Sequence, residues 1–312
     1  MSRPVPAVFF GSGAFAVPIL DALADAPETT LLAVVTAPPK PAGRHRLPTE
    51  TPVARRAVAR GLPVHADPAV AGTADLIILA DYGRLLPAAV VDTPRHGALN
   101  LHPSLLPRWR GATPVARAIA AGDAVTGVSL MRMDAGLDTG PLVAQRETSI
   151  EADETTPELE ARLATMAAAL LLDRLGPWLR GEATARPQPS EGASMARQFR
   201  RPDGRLDVGR PAAELERQVR AFQPWPGSFV DTPAGRLTLW RVRPEVTWGS
   251  GHAPPGTLVA SGPGLVLVVG DGRLDLEVVQ LAGGRRMTGA ELRRGHPGLV
   301  GTVVAAAGEG SR

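Results

Sequence analysis

The 312-residue chain contains no cysteine, one tyrosine and little aromatic character, with 4% Phe, Trp and Tyr. Without cysteine there can be no disulfide, no zinc–thiolate site and no thiol nucleophile. No apolar run reaches the roughly 18 residues of a membrane-spanning helix, so no membrane partner is expected. The N-terminus lacks the layout of a signal peptide, because Gly11, Gly13 and Asp21 interrupt any apolar core. These absences predict a cytoplasmic protein.

Lysine is nearly absent as well, and Lys40 is the only one. The 34 Lys and Arg residues exceed the 31 Asp and Glu by little, which gives a net charge of +3. This balance permits a nucleic-acid partner without requiring one. A hydrophobic content of 44% is ordinary for a globular protein, and the length predicts two domains.

Short apolar runs alternate with helical patterns in the first half of the chain. The runs typical of buried strands are 4–10, 31–36, 75–80 and 97–101, and the helical patterns between and after them are 14–26, 52–60 and 114–121. This alternation predicts an α/β fold with a doubly wound, mostly parallel, Rossmann-like sheet. Ligands of such folds bind beyond the carboxyl ends of the strands.

The composition changes after a long helical pattern at 157–178. Residues 181–204 carry Gly, Pro, Ser and charge without periodicity, which is typical of a linker. Beyond a helical pattern at 212–222, five short apolar runs separated by Gly and Pro predict a small, OB-like β-barrel. We therefore predict a first domain at 1–180, a linker at 181–204 and a second domain at 205–312.

A glycine pair after the first strand, Gly11-Ser12-Gly13, raises the possibility of a dinucleotide site. Ala16 stands where the third glycine of that fingerprint belongs, and the second strand run ends without the acid that binds a ribose. We interpret these glycines as a tight turn and not as part of a nicotinamide site.

The only asparagine of the chain, Asn100, lies two residues before His102. On a strand, residues i and i+2 share a face, so both side chains can point into one space. An amide that donates to a carbonyl oxygen, beside an imidazole that moves a proton, indicates acyl-group chemistry. Taken alone, the pair is better explained by a turn-capping asparagine and a buried histidine.

Two further segments change that balance. In Asp134-Ala135-Gly136-Leu137-Asp138-Thr139-Gly140, two glycines flank Asp138, whose carboxylate could fix the tautomer of His102. The segment 103–112 is stiffened by two prolines, and its backbone amides could hold a heterocycle.

Together, NLHPSLLPRWRG at 100–111 and DAGLDTG at 134–140 resemble the folate-dependent formyltransferases, and within them the branch that acts on methionyl-tRNA. The resemblance continues at 38–47, 217–226 and 284–287 and covers nearly the whole chain. It implies that the donor is 10-formyltetrahydrofolate, that the acceptor is the α-amino group of methionine on initiator tRNA, and that no metal is required. It also implies a catalytic group in which Asn100 stabilises the oxyanion, His102 shuttles the proton and Asp138 orients His102.

The resemblance implies binding residues too. Those for the folate would be Tyr82, Gly83, Ser104, Leu105, Leu106 and Pro107. Asp81 departs from the family, which commonly has a small apolar residue before Tyr-Gly. Those for the tRNA would be Lys40, Arg44, Arg46, Arg285 and Arg286, the last two on a tRNA-binding second domain. A monomer is expected.

Three other functions are compatible with parts of this pattern. A formyltransferase for an amino-sugar nucleotide or for glycinamide ribonucleotide would share the catalytic group, although the basic loop at 38–47 favours tRNA and the ribonucleotide enzyme lacks a second domain. A non-catalytic RNA-binding protein leaves Asn100, His102 and Asp138 without a purpose. A formyl-folate hydrolase, in which water replaces the amine, stays open.

Overall fold

The computed structural model describes residues 3–42, 47–245 and 253–304. The chain divides into two compact units. The first comprises Met1–Val115, Val125–Ser149 and Glu158–Arg197, and the second Ala116–Ala124, Ile150–Pro157 and Gln198–Arg312. Among the described residues, no helix combines the length and apolar composition that crossing a membrane requires.

Strands and helices alternate along the chain as far as residue 197. The strands are β1 (Val5–Gly11), β2 (Thr29–Val35), β3 (Lys40–Ala42), β4 (Leu47–Thr49), β5 (Val64–His65), β6 (Leu76–Ala80), β7 (Ala98–His102), β8 (Arg110–Gly111), β9 (Val125–Arg132), β10 (Leu142–Ser149) and β11 (Met195–Ala196). The helices are α1 (Ala16–Asp25), α2 (Pro52–Ala59), α3 (Ala88–Asp92), α4 (Pro114–Ala121) and α5 (Thr156–Leu179), with a 3-10 turn at Pro68–Thr73.

The main sheet of the first unit confirms the predicted fold class. Among the described residues it has seven strands in the order β10-β9-β7-β6-β1-β2-β5. Strand β2 pairs parallel with β5 and β1, and β6 pairs parallel with β1 and β7. Strand β9 pairs antiparallel with both β7 and β10. Large α/β sheets commonly carry such an antiparallel edge. The order places β7, which carries Asn100 and His102, between β6 and β9.

Continuous burial explains why the central strands have apolar sequences without alternation. All five residues of β6 are buried, as are Ala7 to Gly11 of β1. Helix α1 buries Ala16, Ile19, Leu20 and Leu23, the spacing of one helical face. Burial of each large aliphatic side chain contributes about 1.5–3 kcal/mol to the free energy of folding. The packed core therefore fixes the positions of the strand ends.

The second unit contains the antiparallel strands that the sequence predicted. From residue 198 onward the elements are a 3-10 turn (Arg201–Gly204), α6 (Ala212–Ala221), β12 (Ser228–Thr232), β13 (Gly235–Glu245), β14 (Leu258–Ser261), β15 (Gly264–Val269), β16 (Gly272–Leu281), α7 (Gly289–Gly295) and a second 3-10 turn (Pro297–Leu299). The strands form one sheet in the order β12-β13-β16-β15-β14. Its core packs against Leu215 and Val219 of α6 and Leu292 of α7.

The segment 181–204 is structured where the sequence predicted only a linker. Met195 and Ala196 form β11, which pairs parallel with β8, and Arg186 forms an antiparallel bridge with Leu142. Residues up to Arg197 belong to the first unit. A two-residue strand shows no periodicity, so the sequence carries no signal for β11.

Candidate active site

A cavity of about 370 Å³ lies within the first unit, at the carboxyl ends of β6 and β7. Its apolar lining comes from β6 and β9 and from the loops that follow them, and includes Leu79, Leu85, Leu86, Met131, Met133 and Leu137. Its polar lining includes Asn100, His102 and Asp138. The structure therefore brings the three predicted catalytic side chains into one space, where an open α/β sheet binds ligands.

Asn100 and His102 owe their common direction to strand periodicity. They lie two residues apart on β7, and both are buried. The Asn100 amide donates from Nδ2 to Asp138 Oδ1 over 3.3 Å. A primary amide has two N–H groups, so one Asn100 N–H is left to donate to a ligand.

Asp138 is held at the cavity by its loop between β9 and β10. Its Oδ2 accepts a hydrogen bond of 2.8 Å from the backbone N–H of Gly111, and its own φ is +52°. The loop closes on itself through Asp134, whose Oδ1 accepts from Gly136 N and Thr139 Oγ1. A Cβ on Gly140 would lie 1.8 Å from the Arg132 carbonyl oxygen, so this close approach requires glycine.

The His102 ring is oriented by a backbone carbonyl. Its Nε2 lies 2.9 Å from the Trp109 oxygen, whereas its Nδ1 is 3.7 Å from Asp138 Oδ2, which is too long for a hydrogen bond. A carbonyl oxygen only accepts, so Nε2 carries the proton in the neutral ring and Nδ1 has a free lone pair. In this geometry the Trp109 carbonyl is within hydrogen-bonding distance of the ring, and the Asp138 carboxylate faces Nδ1 at 3.7 Å.

The predicted folate residues divide into two groups. Tyr82 and Gly83 line the cavity, and Ser104, Leu105, Leu106 and Pro107 are not among its lining residues. Ser104 is fully buried and donates to the Arg108 carbonyl, while Leu106 N and O bond to Ser129 and Gln145 on β9 and β10. The 104–107 turn is thus tied to β9 and β10, the antiparallel edge of the sheet.

Two carboxyl groups that the catalytic prediction did not include also line the cavity, Asp81 and Glu160. Desolvation of its carboxyl group by the surrounding cavity raises the pKa of Asp81 to about 6, although the residue as a whole is exposed. Burial and, secondarily, the charge of Asp81 raise the pKa of Glu160 to about 7. The sequence signals Glu160, because it begins the apolar stripe that α5 continues through the buried Leu163, Ala164 and Ala167.

The early glycines support the loop on which Asp81 sits. The N–H groups of Ser12 and Gly13 donate to the Asp81 carbonyl over 2.9 and 3.2 Å. A Cβ on Gly13 would lie 1.6 Å from Asp81 Oδ2, so the carboxylate occupies the space that a side chain would fill. Gly13 thus allows the Asp81 carboxylate to pack closely against the backbone.

The predicted tRNA residues lie on both units. Lys40 is exposed at the start of β3, and Arg44 and Arg46 fall outside the described residues. On the second unit, Arg285 pairs with Glu291 over 3.0 Å, and the Arg286 guanidinium stacks 3.5 Å from the centre of the Trp240 ring.

Family comparison covers most of the chain. The formyl transferase family matches residues 6–175, and the formyl transferase C-terminal domain matches residues 199–297. The methionyl-tRNA formyltransferase of Myxococcus xanthus is 43% identical over 307 residues, which cover 95% of this chain and 96% of the relative. That of Xanthomonas euvesicatoria is 43% identical over 308 residues, covering 94% and 99%.

Solved structures share the fold at much lower identity. HypX from Aquifex aeolicus in complex with tetrahydrofolic acid superposes with a TM-score of 0.64 at 16% identity, covering 94% of this chain and 47% of HypX. The chain thus spans about half of HypX. An N-formyltransferase from Helicobacter canadensis, in complex with folinic acid and dTDP-3-aminofucose, gives a TM-score of 0.66 at 15% identity, covering 88% of this chain and 99% of that one.

Proposed function

The chain belongs to the methionyl-tRNA formyltransferase family, whose members are one-carbon group transferases that use formyl-tetrahydrofolate, and we propose that it formylates methionyl initiator tRNA in translation initiation. The observation that carries the proposal is the meeting of Asn100, His102 and Asp138 in one cavity, within a chain 43% identical to such an enzyme over nearly its full length. The donor, 10-formyltetrahydrofolate, carries its formyl group on nitrogen. The carbon of such a formyl group is a weak electrophile.

Asn100 stabilises the negative charge that develops on the formyl oxygen when the amine attacks. One of its Nδ2 hydrogens is engaged by Asp138 at 3.3 Å, and this bond aims the other into the cavity. A fixed donor of this kind is worth about 2.7–4 kcal/mol in comparable oxyanion sites. The buried position of Asn100 strengthens the effect, since little water competes for the oxygen.

His102 accepts the proton that the attacking amine must lose, and returns it to the leaving nitrogen. Nδ1 is the atom that does so, because Nε2 already donates to the Trp109 carbonyl. General base catalysis by a positioned imidazole contributes roughly 10²–10⁴-fold.

Asp138 stabilises the protonated form of His102. Its Oδ2 lies 3.7 Å from Nδ1, so a proton on Nδ1 creates a charge pair inside a largely buried site. The hydrogen bond from Gly111 keeps the carboxylate in place throughout. Asp138 therefore acts through its charge on Nδ1 and through its bond to Asn100, while the orientation of the ring comes from Trp109.

The folate ring fits the apolar part of the cavity. Leu85, Leu86 and Met133 line a wall beside Tyr82 and Gly83, and a cavity of about 370 Å³ is in the range of small-molecule sites. Residues 104–107 take part through the backbone that supports this wall. In this proposal they hold the donor site in place, because Leu106 is hydrogen-bonded to Ser129 on β9 and Gln145 on β10.

Basic residues on both units bind the tRNA backbone in this proposal. Lys40, Arg44 and Arg46 belong to the 38–47 segment of the first unit, and Arg285 and Arg286 to the second unit. The stacking of Arg286 on Trp240 presents a cation beside an aromatic face, a combination suited to a phosphate and its neighbouring base. We further propose that the enzyme acts as a cytoplasmic monomer, which sedimentation of the purified chain tests by returning a mass near 32.6 kDa.

Two alanine variants test the catalytic assignment. Asn100→Ala should lower kcat by about 10²–10³-fold, the loss expected for one oxyanion donor, and His102→Ala should lower it by roughly 10²–10⁴-fold. Both should keep the melting temperature within a few degrees of wild type. His65→Ala is the matched control, because that histidine is exposed on β5, at the far edge of the same sheet. Wild-type turnover by either folded catalytic variant would refute the assignment.

A further inference from the structure

The chain from Gln188 to Ala196, here called the brace, runs beside two of the catalytic residues. Its last two residues form β11, paired with Arg110 and Gly111 of β8. The N–H of Arg110 donates to the Ser194 carbonyl and that of Ala112 to the Ala196 carbonyl, both over 2.8 Å. The brace is therefore fixed to the segment whose N–H at Gly111 holds Asp138.

Ser194 fixes the residue that orients His102. Its Oγ accepts a hydrogen bond of 3.0 Å from the Trp109 N–H. Trp109 has a φ of +61°, a left-handed conformation that costs a non-glycine residue energy and persists only where its surroundings impose it. That conformation directs the Trp109 carbonyl at His102 Nε2.

Gln188 fixes the loop that carries Asp138. Its Nε2 donates to the carbonyl oxygens of Asp138 and Gly140 over 2.9 and 2.8 Å, and its Oε1 accepts from Nε and Nη2 of Arg110. The side-chain amide thus has both N–H groups and both oxygen lone pairs engaged. Asp138 is another non-glycine residue with a left-handed φ, so here too the brace holds a strained backbone in place.

We propose that Ser194 and Gln188 are positioning residues for formyl transfer. Ser194 acts through the Trp109 carbonyl to keep His102 as the Nε2–H tautomer, which leaves Nδ1 free to accept the proton of the amine. Gln188 acts through the backbone of Asp138 and Gly140 to keep the carboxylate opposite Nδ1. Neither Ser194 nor Gln188 lines the cavity, so we assign them roles that act through Trp109, Asp138 and Gly140. The catalytic role of Ser194 and Gln188 rests on the proposed function. Their effect on the geometry of the site can be tested without measuring activity.

The direct test is the tautomer of His102 by ¹⁵N NMR on the full-length chain labelled in histidine, at a pH where the ring is neutral. The spectrum of His102→Asn identifies the resonances by their loss. We expect a protonated Nε2 and an unprotonated Nδ1 in wild type, and a mixture of tautomers in Ser194→Ala. An Nδ1–H tautomer in wild type, or an unchanged spectrum in Ser194→Ala, would overturn the proposal.

Kinetics of conservative variants provide the second arm. Ser194→Ala should lower kcat by about 10- to 100-fold with little change in either KM, the usual cost of losing a supporting hydrogen bond around a reactive group, and Ser194→Thr should restore it by keeping the hydroxyl. Gln188→Glu keeps the size and the acceptor for Arg110 but removes both donors, so kcat should fall again. Glu191→Gln, an exposed change on the same brace, is the control.

The two arms separate the failure of this inference from the failure of the proposed function. If wild type transfers no formyl group, the function is wrong, and the NMR result still decides whether Ser194 sets the tautomer. If wild type is active, and folded Ser194→Ala and Gln188→Glu retain wild-type kcat, the brace is only structural and the inference fails.

Discussion

Removing the carboxyl group of Glu160 should stabilise the protein above neutral pH. Glu160 lines the cavity together with Asp81, and burial followed by the charge of Asp81 raises its pKa from 4.5 to about 7. Between these two values the unfolded chain releases the Glu160 proton while the folded chain keeps it. The folded state binds more protons in this window, so its stability falls as pH rises from about 4.5 to about 7. Glu160→Gln is neutral at every pH and avoids this loss.

The size of the effect follows from the pKa difference. The rise from 4.5 to about 7 corresponds to at most about 3–4 kcal/mol. Glu160 is partly exposed to the cavity, so solvent screening reduces this value to about 1–2 kcal/mol. For a unit of this size, that free energy corresponds to roughly 3–6 °C in the melting temperature.

The assay is thermal unfolding of wild type and Glu160→Gln at pH 5 and pH 8. We expect the melting temperature of the variant to exceed that of wild type by more at pH 8 than at pH 5. Asp92→Asn, an exposed change on α3, controls for the loss of one negative charge. The same difference between variant and wild type at both pH values would refute the reasoning, because it would mean that Glu160 ionises alike in the folded and unfolded chain. The other ionisable groups that line the cavity are Asp81, Tyr82, Arg84, His102, Asp134 and Asp138.

Three further outcomes follow from the surface of the molecule. Lys40→Ala should raise KM for the tRNA about fivefold, which corresponds to about 1 kcal/mol, and leave KM for the folate unchanged; equal effects on both would indicate a structural role. Arg286→Ala should weaken tRNA binding and reduce its dependence on salt, measured by filter binding at several salt concentrations, and an unchanged salt slope would argue against a phosphate contact. Thr288→Ala should lower the free energy of unfolding, measured in urea, by about 1 kcal/mol, because Thr288 and Glu291 form the capping box of α7. Thr288→Ser should recover most of this loss.

The fold, and the placement of Asn100, His102 and Asp138 in one cavity, were predictable because their signals are local. The apolar runs of β1, β6 and β7 are continuous since these strands are buried on both faces. Asn100 and His102 are two residues apart on one strand, so strand periodicity alone gives them a common face. Asp138 belongs to a short motif that ends in Gly140. A glycine is required there because a Cβ would collide with the Arg132 carbonyl oxygen.

The support of the site was not predictable, because it depends on contacts between residues distant in sequence. Gln188 lies 50 residues from Asp138 and 78 from Arg110, in a segment without periodicity. The bond to His102 comes from a backbone carbonyl, which carries no sequence signal at all. The hydrogen bonds of Leu106 with Ser129 and Gln145 likewise join segments that are far apart in sequence.

Formyl transfer itself is the measurement that tests the account most directly. The purified chain is incubated with 10-formyltetrahydrofolate and charged initiator methionyl-tRNA, with uncharged tRNA and no tRNA as controls. The account predicts formylmethionyl-tRNA from the charged species alone, and its loss in folded Asn100→Ala and His102→Ala. Release of the formyl group at the same rate without any acceptor would contradict it and indicate a hydrolase. Turnover with an amino-sugar nucleotide but not with the charged tRNA would contradict it as well.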